Sequence, residues 1–301
     1  MEVFLTGATG FIGSQVAQAF RRAGYRVLGL TRSQEKAREL AAREIEPVLG
    51  DLAEPASYLP AARRASLLVH CAAESSRDAV ARDRQAIETL LAAAREARAP
   101  RHLIYTSGVW VLGSTGDRVA TDDSPLAPFG FVAWRQTHEE LVLAADSEEL
   151  HTDILRPGCV FGRSGSLTGY WFESAAKGEV EIVGDGRNHW SMIHVDDLAR
   201  AYVLLARQPR HGLALNLNDG TQATVGEMAA AVANVAGVPG RVRSLTAEEA
   251  RGRFGRIAEG LSADQRVSAE RARRILGWAP RHAPFADDAD LCYAAWKAHA
   301  R

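Results

Sequence analysis

The turn Thr6-Gly7-Ala8-Thr9-Gly10-Phe11-Ile12-Gly13 stands between a short apolar run at 2–6 (EVFLT) and a helix-patterned segment at 14–22. No other stretch constrains the chain as tightly. Gly7 permits a tight turn, Gly10 lets a ligand approach the backbone, and Gly13 lets the helix lie close on the sheet. The helix N-terminus that follows offers free N–H groups and the positive end of the dipole, so a pyrophosphate is the expected occupant. Such a turn works inside a strand–turn–helix unit, and the chain goes on supplying them. Strands are expected at 26–30, 46–49, 67–71, 102–106 and 152–155. Helices are expected at 34–43 (with Ser33 as N-cap), 55–64, 82–98 and 133–145. This alternation predicts an α/β fold built on a doubly wound parallel sheet, because parallel neighbours need crossover connections.

The rhythm breaks after Gly162. Residues 163–190 are rich in Gly and Ser and read as irregular, with helices expected at 195–206 and 225–236 and a further segment at 269–276. We therefore expect a Rossmann domain at 1–162 and a smaller α+β substrate lobe at 163–301, with strands returning to the core across that boundary. The length of 301 residues fits such a division, and 47% hydrophobic with 24% charged residues excludes a disordered or collagen-like chain. A formal net charge of −1 gives no basic field for nucleic acid or an anionic membrane. No apolar run reaches the length of a membrane span, and MEVFLTGATG carries no basic lead into an apolar stretch, so neither a membrane segment nor a secretory leader is expected. Cys71, Cys159 and Cys292 are odd in number and far apart, which reads as reduced thiols in a cytoplasmic protein. His138-Glu139-Glu140-Leu141-Val142 starts like a zinc-protease helix but lacks the second histidine, and no metal site is expected.

The Thr-Gly-x-x-Gly-x-x-Gly turn resembles that of the extended short-chain dehydrogenase/reductase superfamily, the branch of NAD(P)-dependent epimerases and dehydratases. Four further segments agree in order along the chain. Gly50-Asp51-Leu52 is similar to the adenine-contacting turn, and His70-Cys71-Ala72-Ala73 to the segment lining the cofactor after the fourth strand. Arg156-Pro157-Gly158-Cys159-Val160-Phe161-Gly162 resembles the segment beside the nicotinamide. Gly184-Asp185-Gly186 followed by Ile193-His194-Val195-Asp196-Asp197 resembles the substrate-lobe signature. The resemblance implies a dinucleotide held by Gly7, Thr9, Gly10, Phe11, Ile12, Gly13, Asp51, Leu52, Cys71, Ala72, Ala73, Pro157 and Val160. It also implies a small-molecule substrate and, from helices near 85–97 and 137–145, a homodimer. At the end of the second strand the chain has Thr31-Arg32-Ser33 in place of an acid. A guanidinium suits a 2′-phosphate, so Arg32 points to NADP over NAD.

The family's catalytic pattern is a tyrosine with a lysine four residues on, assisted by a serine. With Glu139 aligned to the family's acid, those positions carry Phe131 and Arg135, and the serine position carries Gly108. Only Lys36, Lys177 and Lys297 are lysines, so no shift of register restores the pair. Tyr293 and Lys297 have the spacing but lie in the last helix, where it reads as chance. Arg135 can reach a ribose but cannot relay protons. Thr106 and Ser107 keep hydroxyls beside Gly108; Thr106 is expected at the cofactor, and Ser107 at the substrate or bonded to loop backbone. Tyr170, expected in the loop 165–171, is the favoured proton donor, with Ser107, His138 or water as others. Trp110, Tyr170, Trp171 and Trp190 line a pocket or build the small lobe's core. The chain so read is an NADP(H)-dependent oxidoreductase of a small carbonyl or unsaturated compound with a displaced donor. The other readings are a non-catalytic dinucleotide sensor and, ranked lower, a sugar-nucleotide epimerase or dehydratase.

Overall fold

The computed structural model describes residues 1–97, 99–163 and 165–299. The first half runs β1 (Glu2–Thr6), α1 (Phe11–Arg22), β2 (Arg26–Thr31), α2 (Gln34–Ala41), β3 (Glu46–Leu49), α3 (Leu59–Arg64), β4 (Leu67–His70), α4 (Ala79–Arg95) and β5 (Arg101–Thr106). It continues with β6 (Val119–Ala120), α5 (Trp134–Leu143), β7 (Leu150–Pro157) and β8 (Cys159–Phe161). The strand and helix positions read from the sequence recur here with ends displaced by at most four residues. The helix expected over 82–98 is α4, and its expected last residue, Arg98, lies outside the described residues.

The second half runs α6 (Leu167–Ala175), β9 (Val180–Val183), β10 (Met192–His194), α7 (Val195–Arg207), β11 (Leu213–Leu217), α8 (Val225–Val235) and β12 (Val242–Leu245). Then follow α9 (Ala247–Phe254), α10 (Ala258–Leu261), β13 (Arg266–Val267), α11 (Glu270–Leu276) and α12 (Ala289–His299). Seven strands form one parallel sheet in the order β11-β7-β5-β4-β1-β2-β3. Chain order reverses between β1 and β4, where open α/β sheets hold ligands beyond the strands' carboxyl ends.

Both sheet faces are covered, as a parallel sheet requires. On one side α1 and α7 bury Val16, Phe20, Leu198 and Tyr202 against β1 and β4. On the other, α3, α4 and α5 bury Ala62, Ile87, Leu91 and Val142. A separate core in the second half centres on Phe161, Trp171, Phe172 and Phe285. There the stacked pair Trp171 and Trp190 is packing, with Trp190 Nε1 donating to the Leu261 carbonyl. Residues 163–190 are less irregular than their composition suggests, since they contain α6 and β9. No helix among the described residues is long and apolar enough to cross a membrane.

Candidate functional site

The glycine turn is held by the Gly10 N–H donating to the Gly7 carbonyl at 2.9 Å. Gly7 has φ of +72°, and a Cβ there would stand 2.7 Å from the Ala72 nitrogen. A Cβ at Gly13 would stand 2.1 Å from the Gly7 carbonyl oxygen, so α1 can begin this close only without a side chain. Gly10 caps α1 in extended conformation with no side-chain bond, leaving the first N–H groups of the helix to a ligand. The turn opens into a cavity of about 620 Å³ walled by Gly7, Thr9–Gly13, Leu30–Arg32, Gly50, Leu52, Cys71–Ser75 and Ser166. An extended dinucleotide fits this trough, in which the backbone approaches closely and a helix N-terminus faces inward.

A second cavity of about 240 Å³ adjoins the first, and the two share Ile12 and Ser166. Its apolar walls are Val109, Trp110, Val132, Val160 and Leu167, and its polar side chains include Ser107 and Arg135. Ser107 is 7% exposed, and its hydroxyl is buried with no hydrogen-bond partner among the described residues. A Cβ at neighbouring Gly108 would meet nothing nearer than the Pro157 carbonyl at 3.8 Å.

Arg135 belongs to a buried polar chain beneath this cavity. One of its terminal nitrogens donates to the Thr106 carbonyl at 3.0 Å and to the Tyr105 hydroxyl at 3.2 Å, while the guanidinium lies over the Trp134 ring. Tyr105 donates to Asp83 at 3.0 Å, and Asp83 also meets His138 at 2.7 Å and His70 at 3.3 Å. The other nitrogen of His70 meets the Thr6 hydroxyl at 2.6 Å. Burial alone would raise the Asp83 carboxyl, but its bonds to His138 and His70 outweigh that and hold it below the usual carboxylate range. Burial holds the Tyr105 phenol well above its ordinary value. A neutral phenol donating to a fixed carboxylate can orient Arg135; it does not supply a mobile proton. Glu139 forms a buried ion pair with Arg156, tying α5 to β7.

Most residues read from the sequence as cofactor contacts line one of the two cavities. Asp51 and Thr106 do not. Asp51 accepts from the Ala53 N–H and lies 3.9 Å from Arg32. The Thr106 hydroxyl faces α7 and shares a 2.6 Å bond with Tyr202. Tyr170, the donor favoured from the sequence, is displaced as well. It lies on α6 and not in a loop, with its ring against Phe254 and under Arg253, and its hydroxyl 3.4 Å from Glu181. It walls neither cavity, and burial holds its phenol above the ordinary value, although Arg253 and Arg243 oppose the shift. Phe131 packs edge-on against Trp110 and walls a third cavity, near α9 and α10, while Val132 walls the second cavity together with Arg135. His194 caps α7 and stacks on His282 at 3.8 Å, and Asp197 accepts from the backbone of Arg281 and His282, so this motif anchors the C-terminal segment. Glu74, Ser166 and Leu167 line the cavities without having been read as contacts from the sequence. Glu74 could have been found as the residue directly after Ala72-Ala73; the other two follow a turn with no motif.

Comparison with known proteins agrees with this architecture. The model of the NAD dependent epimerase/dehydratase family matches residues 3–218. An uncharacterised protein of Schizosaccharomyces pombe is 30% identical over 96% of this chain and 98% of its own. A Stigmatella aurantiaca 4-hydroxy-2-methyl-3-oxo-4-farnesyl-3,4-dihydroquinoline-1-oxide ketoreductase is 28% identical over 83% of this chain and 78% of its own. The fold matches UDP-glucuronic acid 4-epimerase from Bacillus cereus, solved with UDP-glucuronic acid and NAD, at a TM-score of 0.84 and 17% identity over 99% of this chain and 100% of that one. A parallel seven-stranded sheet, a glycine-lined trough at its switch point and a family match across more than two thirds of the sequence lead to one assignment: the chain belongs to the NAD dependent epimerase/dehydratase family.

Proposed function

We propose that the protein is an NADP(H)-dependent oxidoreductase that reduces a small carbonyl or unsaturated compound without the tyrosine of the family pattern. The observation that carries this reading is the junction of the two cavities at Ile12 and Ser166. A dinucleotide in the trough has its reactive end directed to a small, mostly apolar chamber holding one orphaned hydroxyl and one guanidinium. Pyrophosphate is held by the open N-terminus of α1, and the adenosine end by Leu52 and Arg32. When bound, the dinucleotide supplies a hydride. Ser107 donates a hydrogen bond to the substrate oxygen, and that bond strengthens as negative charge develops there. The fixed charge of Arg135 favours the same change. Ser107 passes its proton to the oxygen and takes another from water.

Arg32 supports NADP, because it walls the trough with its side chain 64% exposed. Glu74 at 3.5 Å and Asp51 at 3.9 Å compete with a phosphate for it. Titration of each cofactor by protein fluorescence is expected to give roughly tenfold tighter binding of NADPH than NADH, the scale of one charge-assisted contact. Glu74→Gln widens that ratio and Arg32→Ala removes it. Equal affinities in the unaltered protein would sink the NADP assignment. A sensor reading is favoured by Phe131, which does not wall the chamber and has no hydroxyl to offer. It replaces the enzyme reading if NADPH binds but no carbonyl, enone or imine in a broad panel oxidises it.

A further inference from the structure

We infer that Asp146, His151 and His211 form a binding site for one divalent transition-metal ion of the zinc type, at the end of the sheet opposite the cofactor trough. The Nδ1 atoms of His151 and His211 stand 3.3 Å apart, and His211 Nδ1 stands 3.2 Å from an Asp146 carboxylate oxygen. One ligand atom from each of the three residues lies within 4.8 Å of the other two. With zinc–nitrogen and zinc–oxygen bonds of about 2.0–2.1 Å, neighbouring corners of a tetrahedron are about 3.3 Å apart. Two of the three edges already have that length. Two imidazoles and one carboxylate are also the donors a borderline-soft ion prefers.

The ligands are pre-positioned on one residue of β7. The Thr152 N–H donates to the second Asp146 oxygen at 2.9 Å, leaving the first turned to the histidines. The Thr152 carbonyl accepts from the Gly212 N–H, which fixes the turn carrying His211. His151 is the adjacent strand residue, in register with His102 of β5. His211 is 58% exposed, so water can fill the fourth corner. His151 lies six residues before Pro157 on β7, about 20 Å of strand away from the reaction chamber. The ion is therefore separate from the chemistry there, and joins the α5–β7 loop to the turn before β11.

The other histidine cluster, His194, Asp196 and His282, makes a natural control. Its His194 Nδ1 accepts from the Asp196 N–H, its His282 Nδ1 is engaged by Asp197, and its carboxylate pairs with Arg163. Those two Nδ1 atoms and that carboxylate are turned to partners other than one another, whereas the facing atoms of Asp146, His151 and His211 meet each other.

The test uses the full chain stripped by chelator and titrated with zinc chloride by calorimetry, with cobalt(II) absorption reporting geometry. One zinc per chain is expected, with visible cobalt bands of tetrahedral intensity. His211→Ala and Asp146→Asn should each weaken zinc binding at least about tenfold, by the scale of lost metal-site partners, while circular dichroism stays unchanged. Asp146→Asn can still accept from the Thr152 N–H, so it separates lost ligation from lost folding. His282→Ala should bind zinc as the unaltered protein does. Saturation well short of one zinc per chain, full affinity in both His211→Ala and Asp146→Asn, or loss in His282→Ala alone would overturn the inference.

Discussion

The two adjoining cavities are built in opposite ways. The trough is made largely of backbone: a glycine turn, the start of α1 and the ends of β2 and β4, nearly all within the first 75 residues. The second cavity is lined mostly by side chains from the segment after β5, the start of α5, the β7–β8 bend and the start of α6, from Ser107 to Leu167. Backbone constraints tolerate few residue types, so they leave motifs. Side-chain constraints can be met by many combinations, so they leave few. That contrast explains how the trough keeps a recognisable pattern while its neighbour, which shares Ile12 and Ser166 with it and is lined by Gly108 and Arg135, leaves little trace in the sequence.

The contrast breaks first at Gly10. A Cβ there meets only the Gly7 carbonyl at 3.3 Å and otherwise points into the trough. Gly10→Val should therefore keep the fold by circular dichroism while cofactor affinity falls by about three powers of ten, roughly 4 kcal/mol. A folded variant that binds normally would show that the trough is not where the pyrophosphate sits. Ser107→Ala tests the chamber at the next scale. Loss of one donor to a developing negative oxygen costs about 10²-fold in kcat, with cofactor affinity unchanged. Unchanged turnover would move the donor to water alone. The smallest effect is expected at Phe131→Tyr, under about threefold in kcat, because its ring packs on Trp110 beside the third cavity and away from Ser107. A large gain would mean that the chamber still accommodates the family's tyrosine.

The same contrast governs how much was legible in the sequence. The alternation of β1 to β5 and β7 with α1 to α5 could be read because these strands are short and mostly apolar and a helical pattern stands between one and the next. α6 could not. Its residues Thr168, Gly169, Trp171, Phe172, Ser174 and Ala175 are all buried, so no polar stripe marks it as a helix, and Ser166 precedes it with φ of +67°. That omission carried Tyr170 into an imagined loop near the nicotinamide. Thr106 was placed correctly at the end of β5, but its hydroxyl faces α7, a choice made by tertiary packing alone. The trio of Asp146, His151 and His211 has no motif spacing, because 60 residues separate its two histidines.

The buried polar chain running from Thr6 through His70, Asp83 and Tyr105 to Arg135 limits how position 135 can change during evolution. A lysine at 135 keeps the charge near Asp83 and has donors for both the Thr106 carbonyl and the Tyr105 hydroxyl, but it loses the planar guanidinium that lies over the Trp134 ring. A neutral residue there strips a compensating charge from a buried carboxylate. A tyrosine at 131 alone changes little, because that ring packs on Trp110 outside the chain. Position 135 is therefore held by its partners on α4, β5 and α5, and a change there needs compensating changes among them.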